Sequence, residues 1–181
     1  MAVIAMLSAP FGSAHLQPYQ KTRLASFFSG QSDSARAGYN TKQAAIAIGS
    51  GGLFGQGLGQ GSQSQLNFLP VAHTDFIFAG LSEATGLVGA TIVLVLYLIF
   101  IYRVFQVAEL ARDDFGSYLA LGVALMFIVQ IIINIGMNLG MLPVTGIPLP
   151  FISFGGTSLI VSLVSVGLLE SIYVRHKKIS F

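Results

Sequence analysis

Three long apolar runs constrain this chain more than any other feature. Residues 76–102 contain one charged side chain, Glu83; residues 117–142 contain none; residues 157–174 contain only Glu170, near the end. As helices rising ~1.5 Å per residue, these runs span or nearly span the ~30 Å hydrocarbon core of a bilayer. Charged residues make up 9% of the chain and apolar residues 54%, whereas a soluble surface needs roughly 25% charge. A water-soluble globule is excluded, and so is a disordered chain, which combines low hydrophobicity with high charge. The fold class is all-α: a polytopic integral membrane protein with three transmembrane helices. Without cysteine there is no disulfide, thiolate nucleophile or Cys-based metal site. No basic cluster with interleaved aromatics suggests a nucleic-acid partner.

The rest of the chain is organised around those spans. Residues 1–11 are apolar but too short to cross, and they lack the basic segment that opens a signal peptide. Residues 1–13 read as the remnant of a preceding transmembrane helix, and the chain as the C-terminal part of a longer membrane protein. The tail 175–181 carries Arg175, Lys177 and Lys178, and the link between the first two spans carries Arg103 and Arg112. Two crossings separate tail and link, so both lie on one side, which the positive-inside rule makes cytoplasmic. The long segment 14–75 and the Leu142–Gly156 loop between the last two spans then lie on the outer, extracytoplasmic side. Lys21, Arg23, Arg36 and Lys42 on that outer segment are cations in search of an anion. Its apolar patch Thr41–Ile48 suits a membrane-surface or re-entrant helix. Its glycine run, from Gly49 to Gly61, has neither the G-K-[ST] ending nor the βαβ context of a nucleotide cradle. A tightly turning, close-packed loop is the better reading.

Polar groups inside the spans are expensive and need a reason. Gln130, Asn134 and Asn138 recur at every fourth position, as one stripe on the second span; Ser158, Ser162 and Ser165 form a similar stripe on the third. Such stripes serve helix–helix packing or line a polar cavity. Glu83 lies ~12 Å along the first span from Asp75 if the helix is regular, where it must face a partner or a wet cavity. Asp75 itself stands at the outer mouth, in His73-Thr74-Asp75-Phe76. It reads either as a helix N-cap or as a general base at the water–membrane boundary. His73 has no second histidine at metal-ligand spacing, so no metal site is legible.

The ordered motifs carry a resemblance. Gly38-Tyr39-Asn40, Gln43, and Ile46-Ala47-Ile48-Gly49-Ser50-Gly51-Gly52-Leu53 are followed by Gly61-Ser62-Gln63-Ser64-Gln65-Leu66, Phe68-Leu69-Pro70 and His73-Thr74-Asp75-Phe76. Then come Asn134-Ile135-Gly136-Met137-Asn138, Leu142-Pro143-Val144-Thr145-Gly146-Ile147-Pro148-Leu149-Pro150-Phe151-Ile152-Ser153 and Gly155-Gly156. From about Leu16 onward this resembles the SEDS family (shape, elongation, division and sporulation; RodA, FtsW and SpoVE), with wording nearer the RodA branch. The resemblance implies polymerisation of lipid II into peptidoglycan glycan strands at the outer face of the bacterial cytoplasmic membrane. It also implies a role in cell elongation and a class B penicillin-binding protein as partner.

Asp75 matches the family's essential aspartate and is the expected catalytic base. Arg23 and Lys42 are the expected counter-charges to the departing phosphates, and Gln43, Ser50, Gln63, His73, Thr74 and Glu83 the expected substrate contacts. An acceptor sugar hydroxyl attacks an anomeric carbon that bears polyprenyl pyrophosphate. Pyrophosphate already leaves well, so one base suffices where a glycosidase needs two carboxyls. A divalent cation, Mg or Mn, suits a departing pyrophosphate, although no ligand set beyond Asp75 is legible. The sequence departs from the family pattern at Val71, Gln56, Ala84 and Phe154. Two other readings use the same residues: a flippase for lipid-linked precursors, which suits the polar stripes and Glu83, and an inactive truncated scaffold.

Overall fold

The computed structural model describes residues 35–57 and 74–175, with side chains described from Tyr39 onward. Four helices, and no strand, occur among these residues: α1 (Ala35–Ser50), α2 (Ile77–Leu110), α3 (Asp114–Asn138) and α4 (Gly156–Arg175). The last three are each long and apolar enough to cross a membrane. Their outward faces carry large exposed hydrophobics such as Leu98, Leu125 and Leu163, as expected of surfaces that meet lipid or further helices rather than water. The remnant expected at residues 1–13 and the tail beyond Arg175 lie outside the described residues.

The first span differs from its expected course in two ways. It does not stop at Tyr102 but runs on to Leu110, so the link to α3 shrinks to Ala111, Arg112 and Asp113. Arg103, expected in that link, instead sits inside the helix, where its Nη1 donates to Gln106 Oε1 at 3.0 Å. A single arginine seven residues from a helix end does not stop an otherwise apolar helix, because its long stem lets the charge reach the interface. The second difference is a break. Gly86 has φ 69 and ψ −166, so α2 is two helices joined at that residue.

The break would leave four backbone groups unpaired around a buried residue, Gly86, where they need protein partners. The segment after α1 closes it. Gln56 and Gly57 donate their N–H groups to the carbonyls of Glu83 and Ala84, at 2.9 and 3.1 Å. Leu87 and Val88 donate theirs to Gly52 and Leu53, at 2.9 and 3.2 Å. The glycine run is thus a backbone splint, and its glycines are needed for closeness: a Cβ on Gly55 would overlap Ala84, and one on Gly86 would overlap Gly55. α1 holds the splint in place. Ala44, Ala47 and Gly51, on one helical face, are all buried; the two alanines pack with Phe76 and Ala79 at the start of α2.

Near the three-residue link, α2, α3 and α4 share a core of Val104, Ala108, Ala120, Val123, Ala124, Phe127 and Leu169. On α4, Ser162 and Ser165 of the serine stripe are buried and Ser158 is half-buried; the hydroxyls of Ser162 and Ser165 each donate to a carbonyl of their own helix. The α3–α4 loop dips back against the helices. Phe151 stacks on Phe127 and meets the edge of Phe100, with ring centroids 5.6 Å away in both cases. Those partners lie ~15–20 Å along their helices from the link. Pro150, fully buried beside Phe151, accepts a hydrogen bond from Tyr97 Oη at 2.6 Å. A non-helical segment there is tolerated because protein surrounds it.

Candidate active site

Asp75 sits where the dipping loop, the start of α2 and the end of α3 meet. Its backbone is held tightly. The Asp75 carbonyl accepts from Asn134 Nδ2 at 3.2 Å and from Asn138 Nδ2 at 3.1 Å. The preceding carbonyl, of Thr74, accepts from Ser153 Oγ at 2.7 Å, while that same oxygen accepts the Leu149 N–H at 2.7 Å. Asn134 Nδ2 also donates to the Ile147 carbonyl at 2.8 Å. One amide therefore ties the aspartate to the loop opposite it. Both asparagines are completely buried, and a four-residue spacing puts both amides on one face of α3.

The side chain is in a different situation. The residue is half-buried, and its Oδ2 lies 3.6 Å from where a Cβ would stand on Gly146. Gly146 has φ 76, a conformation open to glycine, and its bare backbone is what lets the loop approach the carboxylate. The N-cap position of α2 is Phe76, not Asp75, and it makes no side-chain capping bond. The N-cap reading of Asp75 is therefore overturned. The third N–H of the helix, from Ala79, is accepted instead by Asn138 Oδ1 at 3.1 Å. Among the described residues the Asp75 carboxylate has no hydrogen-bond partner. A carboxylate with a fixed backbone and open oxygens is equipped to accept a proton.

The structure places the other expected site residues unevenly. Thr74 adjoins Asp75 and is tied down through its carbonyl. Glu83 is fully buried beside the splint, with its carbonyl accepting from Gln56. Lys42 is exposed, roughly 140–160° around α1 from the two alanines that face α2. Gln43 is half-buried, and Ser50 is exposed with its hydroxyl donating to the Ala47 carbonyl at 2.9 Å. Arg23, Gln63 and His73 lie outside the described residues, as does Val71. Of the other departures, Gln56 donates its side-chain amide to the Ser50 carbonyl at 3.1 Å, Ala84 accepts from Gly57 in the splint, and Phe154 is 80% exposed.

Sequence reasoning treated Asn134 and Asn138 as packing or cavity-lining residues and gave Ser153 and Gly146 no role. All four surround Asp75. The one signal for them was their place in the same ordered motifs. The described residues include no cluster of three carboxylates, histidines or cysteines able to hold a metal ion.

Comparison with known proteins agrees with this arrangement. A family model described as a cell cycle protein and covering FtsW, RodA and SpoVE matches residues 1–178. The chain is 47% identical to peptidoglycan glycosyltransferase MrdB of Escherichia coli K12, over 91% of this chain and 45% of that one. It is 42% identical to peptidoglycan glycosyltransferase RodA of Treponema pallidum, over 96% of this chain and 41% of the relative. It is likewise 42% identical to stage V sporulation protein E of Bacillus subtilis, over 94% and 47%. A solved structure described as "Structural coordination of polymerization and crosslinking by a peptidoglycan synthase complex" superposes with a TM-score of 0.69 at 27% identity, covering 98% of this chain and 48% of that one. The chain spans about half the length of the curated relatives it matches. On the motifs, the helical architecture and the extent of the match together, it belongs to the FtsW, RodA and SpoVE family, the SEDS proteins.

Proposed function

We propose that this protein is part of a peptidoglycan glycosyltransferase of the RodA type, which polymerises lipid II during cell elongation with Asp75 as general base. The observation that carries the reading is the state of Asp75: backbone clamped at two successive carbonyls, carboxylate unpaired and half-open. The acceptor hydroxyl oxygen forms a bond to the anomeric carbon as the bond from that carbon to the pyrophosphate oxygen breaks. The proton passes to Asp75, and the bonding pair leaves with the polyprenyl pyrophosphate. A single displacement of this kind inverts the anomeric centre. The prenyl tail requires a site that opens towards lipid, which suits a base set among apolar spans. Arg23 and Lys42 on the outer side are the proposed counter-charges to the leaving group.

In this reading Asp75 lies at the outer face of the bacterial inner membrane, and the basic tail lies in the cytoplasm. A class B penicillin-binding protein supplies crosslinking, in keeping with the solved relative's description as a peptidoglycan synthase complex. The flippase reading loses its motive, because the amides of Asn134 and Asn138 are engaged by backbone groups instead of lining a path. The deciding experiment is polymerisation of lipid II in detergent, with no bilayer to cross. Glycan strands from the wild type and none from Asp75→Asn are expected. Equal polymerisation by the two would refute the base assignment, and an absence of strands from either, despite intact folding, would refute the enzyme.

A further inference from the structure

We propose that Asn138, with Asn134 and Ser153, acts as a positioning residue for the general base, by capping α2 from another helix while holding the Asp75 backbone, so that the base is placed at a fixed point relative to the helix start. This rests on Asp75 being the base. The argument starts with the donors that every helix leaves unpaired in its first turn. A polar N-cap side chain ordinarily satisfies one of them by accepting from the second or third N–H, but the N-cap of α2 is Phe76, which has no acceptor to offer. In α2 the third N–H belongs to Ala79, and Asn138 Oδ1 already accepts it from α3. The same side-chain amide donates to the Asp75 carbonyl. Asn138 thus straddles the junction: its oxygen takes the donor that Phe76 cannot serve, while its nitrogen holds the Asp75 backbone.

Packing alone does not call for asparagine here. A fully buried amide is costly unless its bonds are made, and an apolar side chain would fill the same buried space at lower cost. Asn138 makes its bonds to Asp75, Ala79 and Asn134, and Asn134 extends them to Ile147, one residue from the Gly146 that faces the carboxylate. Ser153 fixes the next carbonyl back, that of Thr74, from the dipping loop. Three side chains thereby set both the position of the base and its distance from the wall opposite. Each touches Asp75 or its neighbour through the backbone, and none is bonded to the carboxylate.

The test measures kcat and KM for lipid II polymerisation by the complete protein purified with its partner. Asn138→Leu is expected to lower kcat by roughly 10- to 100-fold, the scale of an ~1 Å misplacement, and to leave KM within about 2-fold. Ser153→Val should also lower kcat, whereas Ser153→Thr, of the same shape but with a hydroxyl, should retain it. The valine–threonine pair decides alone if Asn138→Leu does not fold. Folded Asn138→Leu and Ser153→Val proteins with wild-type kcat overturn the positioning role while leaving the base assignment intact. Undiminished polymerisation by Asp75→Asn overturns that assignment, and this proposal with it. Matched losses of kcat and melting temperature in Val and Thr at position 153 reduce the residue to a stability role and overturn the proposal as well.

Discussion

Replacing Gly86 with alanine attacks the break in α2 directly, and the structure sets the size of the effect. Gly86 has φ 69 and ψ −166, a region that is essentially glycine-only, and a side chain held there costs about 1–3 kcal/mol. The added Cβ would also overlap backbone atoms of Gly55 and Leu53. Backbone cannot rotate aside as a flexible side chain can, so the splint must lift away. Lifting it endangers four hydrogen bonds across the break, from Gln56, Gly57, Leu87 and Val88, each contributing roughly 0.5–1.5 kcal/mol. The expected loss is therefore about 3–9 kcal/mol, enough at the upper end to exhaust a typical folding stability.

Thermal unfolding in detergent reads this out. With roughly 2–4 °C per kcal/mol for a chain of this size, Gly86→Ala should melt at least ~6 °C below wild type. Gly167→Ala is the control: that glycine lies inside α4 with nothing within 4 Å of an added Cβ, so helix propensity alone favours alanine by up to ~1 kcal/mol. A Gly86→Ala protein melting within ~2 °C of wild type would refute the splint.

Tyr97→Phe removes the donor to the buried Pro150 carbonyl at 2.6 Å; a loss of about 1–3 kcal/mol is expected, measured by thermal unfolding, and no change would mean the bond does not anchor the dipping loop. Leu149→Ala, at a fully buried position within the same loop, should cost about 2–5 kcal/mol, with polymerisation reduced alongside stability because Asp75 faces that loop. Ala47→Leu forces a large side chain between α1 and the start of α2, where Ala47 is wholly buried against Phe76 and Ala79. A cost of about 1–3 kcal/mol is expected, with faster proteolytic cleavage in α1, and wild-type cleavage rates would show that the contact is dispensable.

The sequence by itself determined the class and the count of long helices, because hydropathy is a local property: Asp114–Asn138 carries its apolar signal in its own residues whatever surrounds it. It also marked Asp75, through the motif around it. Tertiary structure alone decided where Asp75 is held relative to the start of α2. That placement depends on Asn138, 59 residues away from the Ala79 N–H that it accepts, and on Ser153, 79 residues from the Thr74 carbonyl. Gly86 shows the same limit, since a glycine within an apolar run is compatible with a continuous helix or a broken one. The break is stable because a segment some 30 residues upstream supplies the missing hydrogen bonds. In the interior of a membrane protein every unpaired backbone group must find a protein partner, and which partner arrives is a property of the assembled chain.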